Sequence, residues 1–325
     1  MDVFFFEAFE EEAAFLRQYL PARIRAGITW KTIQEYGAAD PPAPLISIRT
    51  QSVLPLAWAS KLAGILSRST GYDHLAAYRR QCRQTGDLPC GFLPPYCSRA
   101  VAEQAMLLWL ALLRDLSTQG RYFGCFKRDG LTGLECEGRT LLVVGVGNIG
   151  YEVTRIGQGL GMRVFGVDIV EKHVKVNYVA IDQGLAEADI VVCAMNLTAD
   201  NIGYFDYRRL HQAKPGALFI NISRGEIAPA RDLLRLLDEG RLGGLGLDVY
   251  NCEQELAYCL RQKTESTDSE VQAILELAGR PRVICTPHNA FNTREAVERK
   301  ARFSIEEIEY FLARGLFRLS VPDGL

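Results

Sequence analysis

A doubly wound parallel α/β sheet, beside a second and smaller α/β unit, is the fold class the sequence predicts. Three observations carry this prediction. Short apolar runs alternate with helical patterns in two separate series, a glycine-rich turn follows the first strand of the second series, and the chain has 325 residues. Alternation of this kind implies strands joined by helical crossovers, and therefore parallel pairing. At roughly 150 residues per domain, this length corresponds to two domains.

The first series fills the N-terminal third. Residues 3–6 read as a strand, and residues 7–20 carry Phe9, Ala13, Leu16 and Leu20 at helical spacing until Pro21 stops them. Residues 45–49 and 65–69 are further strands, separated by a helical stretch over 55–63. Composition then shifts at Pro94-Pro95. Ser98 is placed to cap a helix through Val101, Ala105, Leu108, Leu112 and Leu116. That helix is apolar nearly all round, the pattern of one buried between domains or against a second subunit.

The second series has strands at 140–144, 163–167, 189–194, 217–220, 246–249 and 282–285. Helical patterns over 149–160 and 231–239 lie between them, the latter closed by Gly240. Residues 293–313 form a long amphipathic helix bearing Phe303, Ile305, Ile308 and Phe311. Residues 261–270 are polar almost throughout and read as a solvated insertion.

Composition removes several classes of function. Lys and Arg number 37 against 39 Asp and Glu, so no basic excess exists to neutralise a nucleic-acid backbone. The longest apolar run, 105–113, falls far short of the roughly 20 residues a bilayer span needs. The N-terminus lacks the basic and small-residue features of a signal peptide. The nine cysteines form an odd set without C-x-x-C spacing, and a chain this long buries a core without disulfides. They read as small apolar residues of a protein kept in the reducing cytoplasm. The four histidines show no metal-ligand spacing, so no metal is expected.

Gly145-Val146-Gly147-Asn148-Ile149-Gly150 follows the strand at 140–144 and opens a helix. G-x-G-x-x-G alone is a weak signal; after a strand and before a helix it has a mechanism. The first glycine permits the tight turn, the second lets the backbone approach a pyrophosphate, and the third lets helix and strand pack closely. Free N–H groups at the helix start face the phosphate charge. Asp168 ends the next strand, about 20 residues on, where a carboxylate accepts hydrogen bonds from NAD ribose hydroxyls and repels the 2′-phosphate of NADP.

Three later segments are polar just where a strand ends, the edge at which open α/β sheets bind ligands. They are Asn221-Ile222-Ser223-Arg224-Gly225-Glu226, Leu247-Asp248-Val249-Tyr250-Asn251-Cys252-Glu253 and Cys285-Thr286-Pro287-His288-Asn289-Ala290. With the glycine loop, the Ser69-Thr70-Gly71-Tyr72-Asp73-His74 turn and the helix entry at 96–103, they resemble the D-2-hydroxyacid dehydrogenase family. The resemblance spans nearly the whole chain. It implies a Rossmann cofactor domain over residues 99–289 and a flavodoxin-like substrate domain from residues 1–98 and 290–325. The active site would be the cleft between them, and the protein a homodimer through the 98–117 helix.

The resemblance also implies roles. Arg224 would bind the substrate carboxylate and polarise the carbonyl through its fork of donors. His288 would exchange the proton, and Glu253 would hydrogen-bond the imidazole and fix its tautomer. Ser69, Thr70 and Gly71 would grip the carboxylate from the smaller domain. NAD would contact Gly145, Gly147, Asn148, Ile149, Gly150 and Asp168 at its phosphate and ribose half. Asn196, Thr198, Ser223, Asp248 and Ala290 would line the rest. Asn196 stands where the family commonly has proline, and the Glu253-to-His288 interval is longer than usual.

His288-Asn289-Ala290-Phe291-Asn292-Thr293 resembles the D-lactate dehydrogenase branch, which makes pyruvate and D-lactate the first choice of substrate pair. Arg49 and Gln51, at the end of a strand, read equally as pocket lining or as exposed. A cation in the pocket would favour glyoxylate, hydroxypyruvate or oxaloacetate, so a glyoxylate/hydroxypyruvate reductase stays open. So does an NADH-sensing corepressor on the same fold. Phosphite oxidation is disfavoured because Thr70 replaces the lysine of that branch. His74 reads as a structural hydrogen-bonding residue, His173 and His211 as solvent-facing, and Tyr96, Trp109 and Phe291 as packing residues.

Overall fold

The computed structural model describes residues 1–82 and 88–322 and contains two all-parallel sheets. The chain divides into two units: Met1–Tyr96 with Asn292–Leu325, and Cys97–Phe291. The first unit begins with β1 (Val3–Phe5), α1 (Glu10–Tyr19), β2 (Ala26–Ile28), α2 (Ile33–Tyr36), β3 (Leu45–Ile48), β4 (Gly64–Ser67), α3 (Asp73–Cys82) and β5 (Cys90–Gly91). Its sheet order is β2-β1-β3-β4-β5, the flavodoxin-like order. Strands β1, β3 and β4 are buried along their whole length, as expected for parallel strands covered on both faces.

The second unit holds α4 (Ser98–Leu113), α5 (Leu116–Tyr122), β6 (Thr140–Val144), α6 (Asn148–Gly159), β7 (Arg163–Val167), β8 (Asn177–Tyr178), α7 (Ile181–Glu187) and β9 (Ile190–Cys193). It continues with α8 (Tyr207–Leu210), β10 (Ala217–Asn221), α9 (Ala230–Asp238), β11 (Leu242–Leu247), α10 (Glu253–Gln262), α11 (Ser269–Ala278) and β12 (Val283–Cys285). The order is β12-β11-β10-β9-β6-β7-β8, so the winding reverses between β6 and β9. Such a switch point opens a crevice at the strands' carboxyl ends. The chain then returns to the first unit as α12 (Arg294–Arg314), capped by Thr293 and packed on α1.

Several expectations need correction. The 55–63 stretch contains only a 3-10 turn, Leu56–Trp58, which the short span between Pro55 and the next strand allows. The helix expected to run from Ser98 to Leu116 has Cys97 at its N-cap and ends at Leu113, where Asp115 takes a left-handed conformation (φ 47) and α5 starts afresh. Ala105, Leu108 and Leu112 are buried where α4 packs on α6, β10 and β11, while Leu107 is 52% exposed on the single chain. The last-but-one strand is β11 at Leu242–Leu247, earlier than expected, because glycines sit where neighbours press close. A Cβ on Gly243 would lie 2.3 Å from the Gly216 carbonyl oxygen, and one on Gly246 2.9 Å from Leu108 Cβ.

The polar 261–270 segment is anchored rather than merely solvated. Ser266 is buried and donates to Glu255, Asp268 caps α11, and buried Glu270 accepts from the Ala230 amide at 2.8 Å and from Arg231. His173 is not simply solvent-facing: it is half-buried, stacked on Tyr151 with centroids 4.0 Å apart. His211 is exposed, and Tyr96, Trp109 and Phe291 are buried. Among the described residues, no helix is long and apolar enough to cross a membrane.

Candidate active site

The glycine turn is built as its spacing requires. Gly145 has φ +91, and a Cβ there would lie 2.6 Å from the Met195 amide nitrogen. A Cβ on Gly150 would collide with the Gly145 carbonyl oxygen at 1.9 Å, whereas one on Gly147 would meet nothing within 4 Å. No side chain caps the N-terminus of α6, which starts at Asn148. Open space before uncapped helix amides fits a pyrophosphate. Ile149 is half-buried in the first turn.

Asp168 lies beside this turn, its carboxylate accepting from the Val146 amide at 2.6 Å and the Val170 amide at 3.1 Å. A carboxylate so placed matches the ribose-binding position and opposes a 2′-phosphate. Two consequences follow for cofactor choice. NADH is expected to give a higher kcat/KM than NADPH, and Asp168→Ala to lower the NADH value about tenfold, the scale of a lost charged hydrogen bond. Measuring kcat/KM with both cofactors checks this; equal wild-type values would remove Asp168 from the discriminating role.

At the next strand end, Asn196 and Thr198 are exposed in a loop closed by Asn201, whose side chain donates to the Asn196 carbonyl and accepts from the Thr198 amide. Ser223 donates its hydroxyl to the Met195 carbonyl, tying this loop to the end of β10. Asn221 forms an Asx turn there: its side chain accepts from the Ser223 amide at 3.1 Å and donates to the Arg224 carbonyl at 3.0 Å. This fixes the backbone of half-buried Arg224, and Gly225 lets that backbone press on the Tyr250–Asn251 peptide, 1.8 Å from where a Cβ would stand.

Glu253 is the first residue of α10, and His288 lies beyond β12 with φ 50. His288 Nδ1 is 2.8 Å from Glu253 Oε1 and 2.9 Å from Oε2, with both side chains 19% exposed. With Nδ1 donating to a carboxylate, Nε2 is the atom left to give or take a proton. Asp248 holds the strained histidine loop: its carboxylate accepts from Thr286 Oγ1 at 2.5 Å and from the amides of Asn289 and Ala290 at 2.8 and 2.9 Å. Burial pushes the Asp248 carboxyl up from its ordinary range, against the pull of these donors. Burial likewise raises the thiols of Cys252 and Cys285, so neither offers a ready thiolate nucleophile.

Arg224, Glu253 and His288 therefore share the carboxyl edge of one sheet, in the segments that follow the adjacent strands β10, β11 and β12. Sequence reasoning assigned no role to Asn221 or Thr286. The Asn-x-Ser pattern of an Asx turn was the available signal for the former; nothing in sequence marks the latter.

Ser69, Thr70 and Gly71 belong to the other unit, at the end of β4. Ser69 Oγ donates to the Gly71 carbonyl at 2.6 Å and shares a 2.7 Å contact with Ser67 Oγ. His74 Nε2 stands 2.9 Å from the same Ser67 hydroxyl, a structural role. Half-buried Arg49 and Gln51 lie on a loop whose amides are held by the Glu7 carboxylate, both at 2.9 Å.

Residues 106–290 match the family described as D-isomer specific 2-hydroxyacid dehydrogenase, NAD binding domain. The chain is 29% identical over 279 residues to a D-lactate dehydrogenase of Streptococcus agalactiae, covering 83% of each protein. It is 30% identical over 237 residues to a D-specific alpha-keto acid dehydrogenase of Enterococcus faecalis, covering 72% of this chain and 70% of that one. Among solved structures, a D-lactate dehydrogenase from Aquifex aeolicus, complexed with NAD and lactic acid, has a TM-score of 0.84 at 26% identity, covering 99% of this chain and 100% of that one. The matched segment, the identity and the glycine turn place this chain in the D-isomer-specific 2-hydroxyacid dehydrogenase family, as an NAD-dependent oxidoreductase.

Proposed function

We propose that this enzyme interconverts pyruvate and D-lactate, with Arg224, Glu253 and His288 as its catalytic residues. The paired contact of His288 Nδ1 with both Glu253 oxygens is the observation that carries the mechanism. In reduction, Arg224 binds the keto-acid carboxylate with one arm of its fork and draws charge onto the carbonyl oxygen with the other. NAD, when bound, supplies or accepts the hydride at the reacting carbon. His288 donates its Nε2 proton to the developing alkoxide; in oxidation it takes that proton back, and Glu253 holds the ring for both directions. Ser69, Thr70 and Gly71 supply further grip on the carboxylate. Gly145, Gly147, Asn148, Ile149, Gly150 and Asp168 hold the phosphate and ribose half of the cofactor, with Asn196, Thr198, Ser223 and Ala290 along the remainder. Asp248 acts through the loop that carries His288.

The choice of pyruvate follows the D-lactate dehydrogenases among the relatives and the buried Phe291 after the histidine, which suits a small apolar substituent. We further infer a cytoplasmic homodimer. An odd set of nine cysteines without C-x-x-C spacing suits a reducing compartment, and exposed Leu107, Leu116, Phe123 and Phe126 suit burial against a second copy. A panel of pyruvate, hydroxypyruvate, oxaloacetate and phenylpyruvate, scored by NADH oxidation, tests the substrate. Pyruvate is expected to give the highest kcat/KM; a preference for oxaloacetate that disappears in Arg49→Ala would replace it.

A further inference from the structure

Three ionisable side chains with no part in this chemistry are completely buried in the first unit. Arg68 Nε donates to Glu12 Oε1 at 2.8 Å, and Lys300 Nζ lies 2.9 Å from Glu12 Oε2. Arg68 also donates to Ser47 Oγ at 3.1 Å and to the Phe6 carbonyl. Two cations thus share one carboxylate, and with all three ionised the cluster keeps one positive charge in excess. Arg68 immediately precedes Ser69, and its backbone is pinned on both sides. Its amide donates to the Ile48 carbonyl at 2.8 Å, and its carbonyl accepts from Tyr96 Oη at 3.4 Å. Arg68 thus joins the cluster directly to the 69–71 turn.

We propose that Lys300 is a positioning residue of the substrate site, whose ammonium form leaves a buried positive charge beside the 69–71 turn and so strengthens its hold on the 2-keto acid carboxylate. The proposal rests on the reading that this turn binds that carboxylate. The groups facing Lys300 are Glu12 from α1, Arg68 from the end of β4, Arg49 from the end of β3 and the Phe9 ring, whose centroid is 5.0 Å from Nζ. Burial and the two guanidiniums bring the Lys300 ammonium down to about 7 against the attraction of Glu12. Burial alone would raise Glu12, but Lys300, Arg68 and Arg49 hold it at about 2, so it stays ionised throughout the working range. Below about 7 Lys300 adds its positive charge to the cluster and the keto acid binds better; above it Lys300 is neutral, that charge is lost and KM rises.

The test is the KM and kcat for pyruvate, at saturating NADH, in wild type, Lys300→Met and Lys300→Arg across about pH 5.5–9. At about pH 6, Lys300→Met is expected to show a KM about tenfold above wild type, the scale of one buried unit charge acting on an anion at an effective dielectric of about 20. The gap should close on the alkaline side, where the wild-type lysine is already neutral. Lys300→Arg, always charged, should keep the acid-side KM at alkaline pH. Both variants should move KM more than kcat, which separates this effect from proton transfer at His288. A lysine of purely structural importance would displace KM by the same factor at every pH, and parallel or superimposed curves overturn the proposal. Should Lys300→Met fail to fold, the Lys300→Arg curve decides alone, by the same criterion. A wild type that reduces no 2-keto acid overturns the functional reading itself, a result distinct from parallel curves in an active enzyme.

Discussion

His288→Ala is expected to lower kcat by ~10²-fold or more while leaving NADH binding intact, the scale of a lost general acid–base group. The geometry explains why a single side chain carries so much. Its Nδ1 is committed to both oxygens of Glu253, so its only proton-transfer atom is Nε2. The loop around it is pinned by Asp248 through Thr286, Asn289 and Ala290, and the residue itself sits at φ 50. No neighbouring thiol offers a substitute, since burial raises both Cys252 and Cys285. Stopped-flow NADH binding and steady-state kcat separate the two effects. A kcat within tenfold of wild type would remove His288 from the chemical step. Because reduction consumes a proton and oxidation releases one, the two directions should also respond oppositely to pH.

Arg224→Lys is expected to lower kcat and raise keto-acid KM together, reducing kcat/KM about 10²-fold. Lysine keeps the charge but presents one rotating ammonium in place of a planar fork, so it cannot grip a carboxylate and polarise the adjacent carbonyl at once. The backbone should survive the change. Arg224 is positioned by the Asn221 Asx turn and by the close approach of Gly225 to the 250–251 peptide, neither of which uses its guanidinium. A raised KM with unchanged kcat would show that Arg224 only binds, and that the carbonyl is polarised elsewhere.

Much of this architecture was legible in the sequence for a physical reason. Strands 140–144 and 163–167 coincide with β6 and β7 because interior parallel strands are continuous apolar runs bounded by turn residues. The glycine turn was legible because its mechanism demands a strand before it and a helix after it. The two- and three-residue edge strands β2, β5 and β8 were not, since so few residues show no periodicity. β11 was misplaced because its Leu-Gly-Gly-Leu-Gly-Leu run carries packing information rather than strand propensity: the glycines admit the Gly216 backbone and Leu108. Arg224, Glu253 and His288 stood out as polar groups after strands. The Glu12–Arg68–Lys300 cluster did not, because its members come from α1, the end of β4 and α12, and each alone looks like an ordinary surface charge.

We propose that Arg224, Glu253 and His288 direct an NAD-dependent, D-specific reduction of a 2-keto acid. The most direct test is the configuration of the product formed from pyruvate and NADH by the wild-type protein, resolved by chiral chromatography and compared with the His288→Ala variant. D-lactate in stoichiometric amount with the NADH consumed, and almost none from the variant, is the predicted result. L-lactate, or D-lactate formed equally fast without His288, would contradict it.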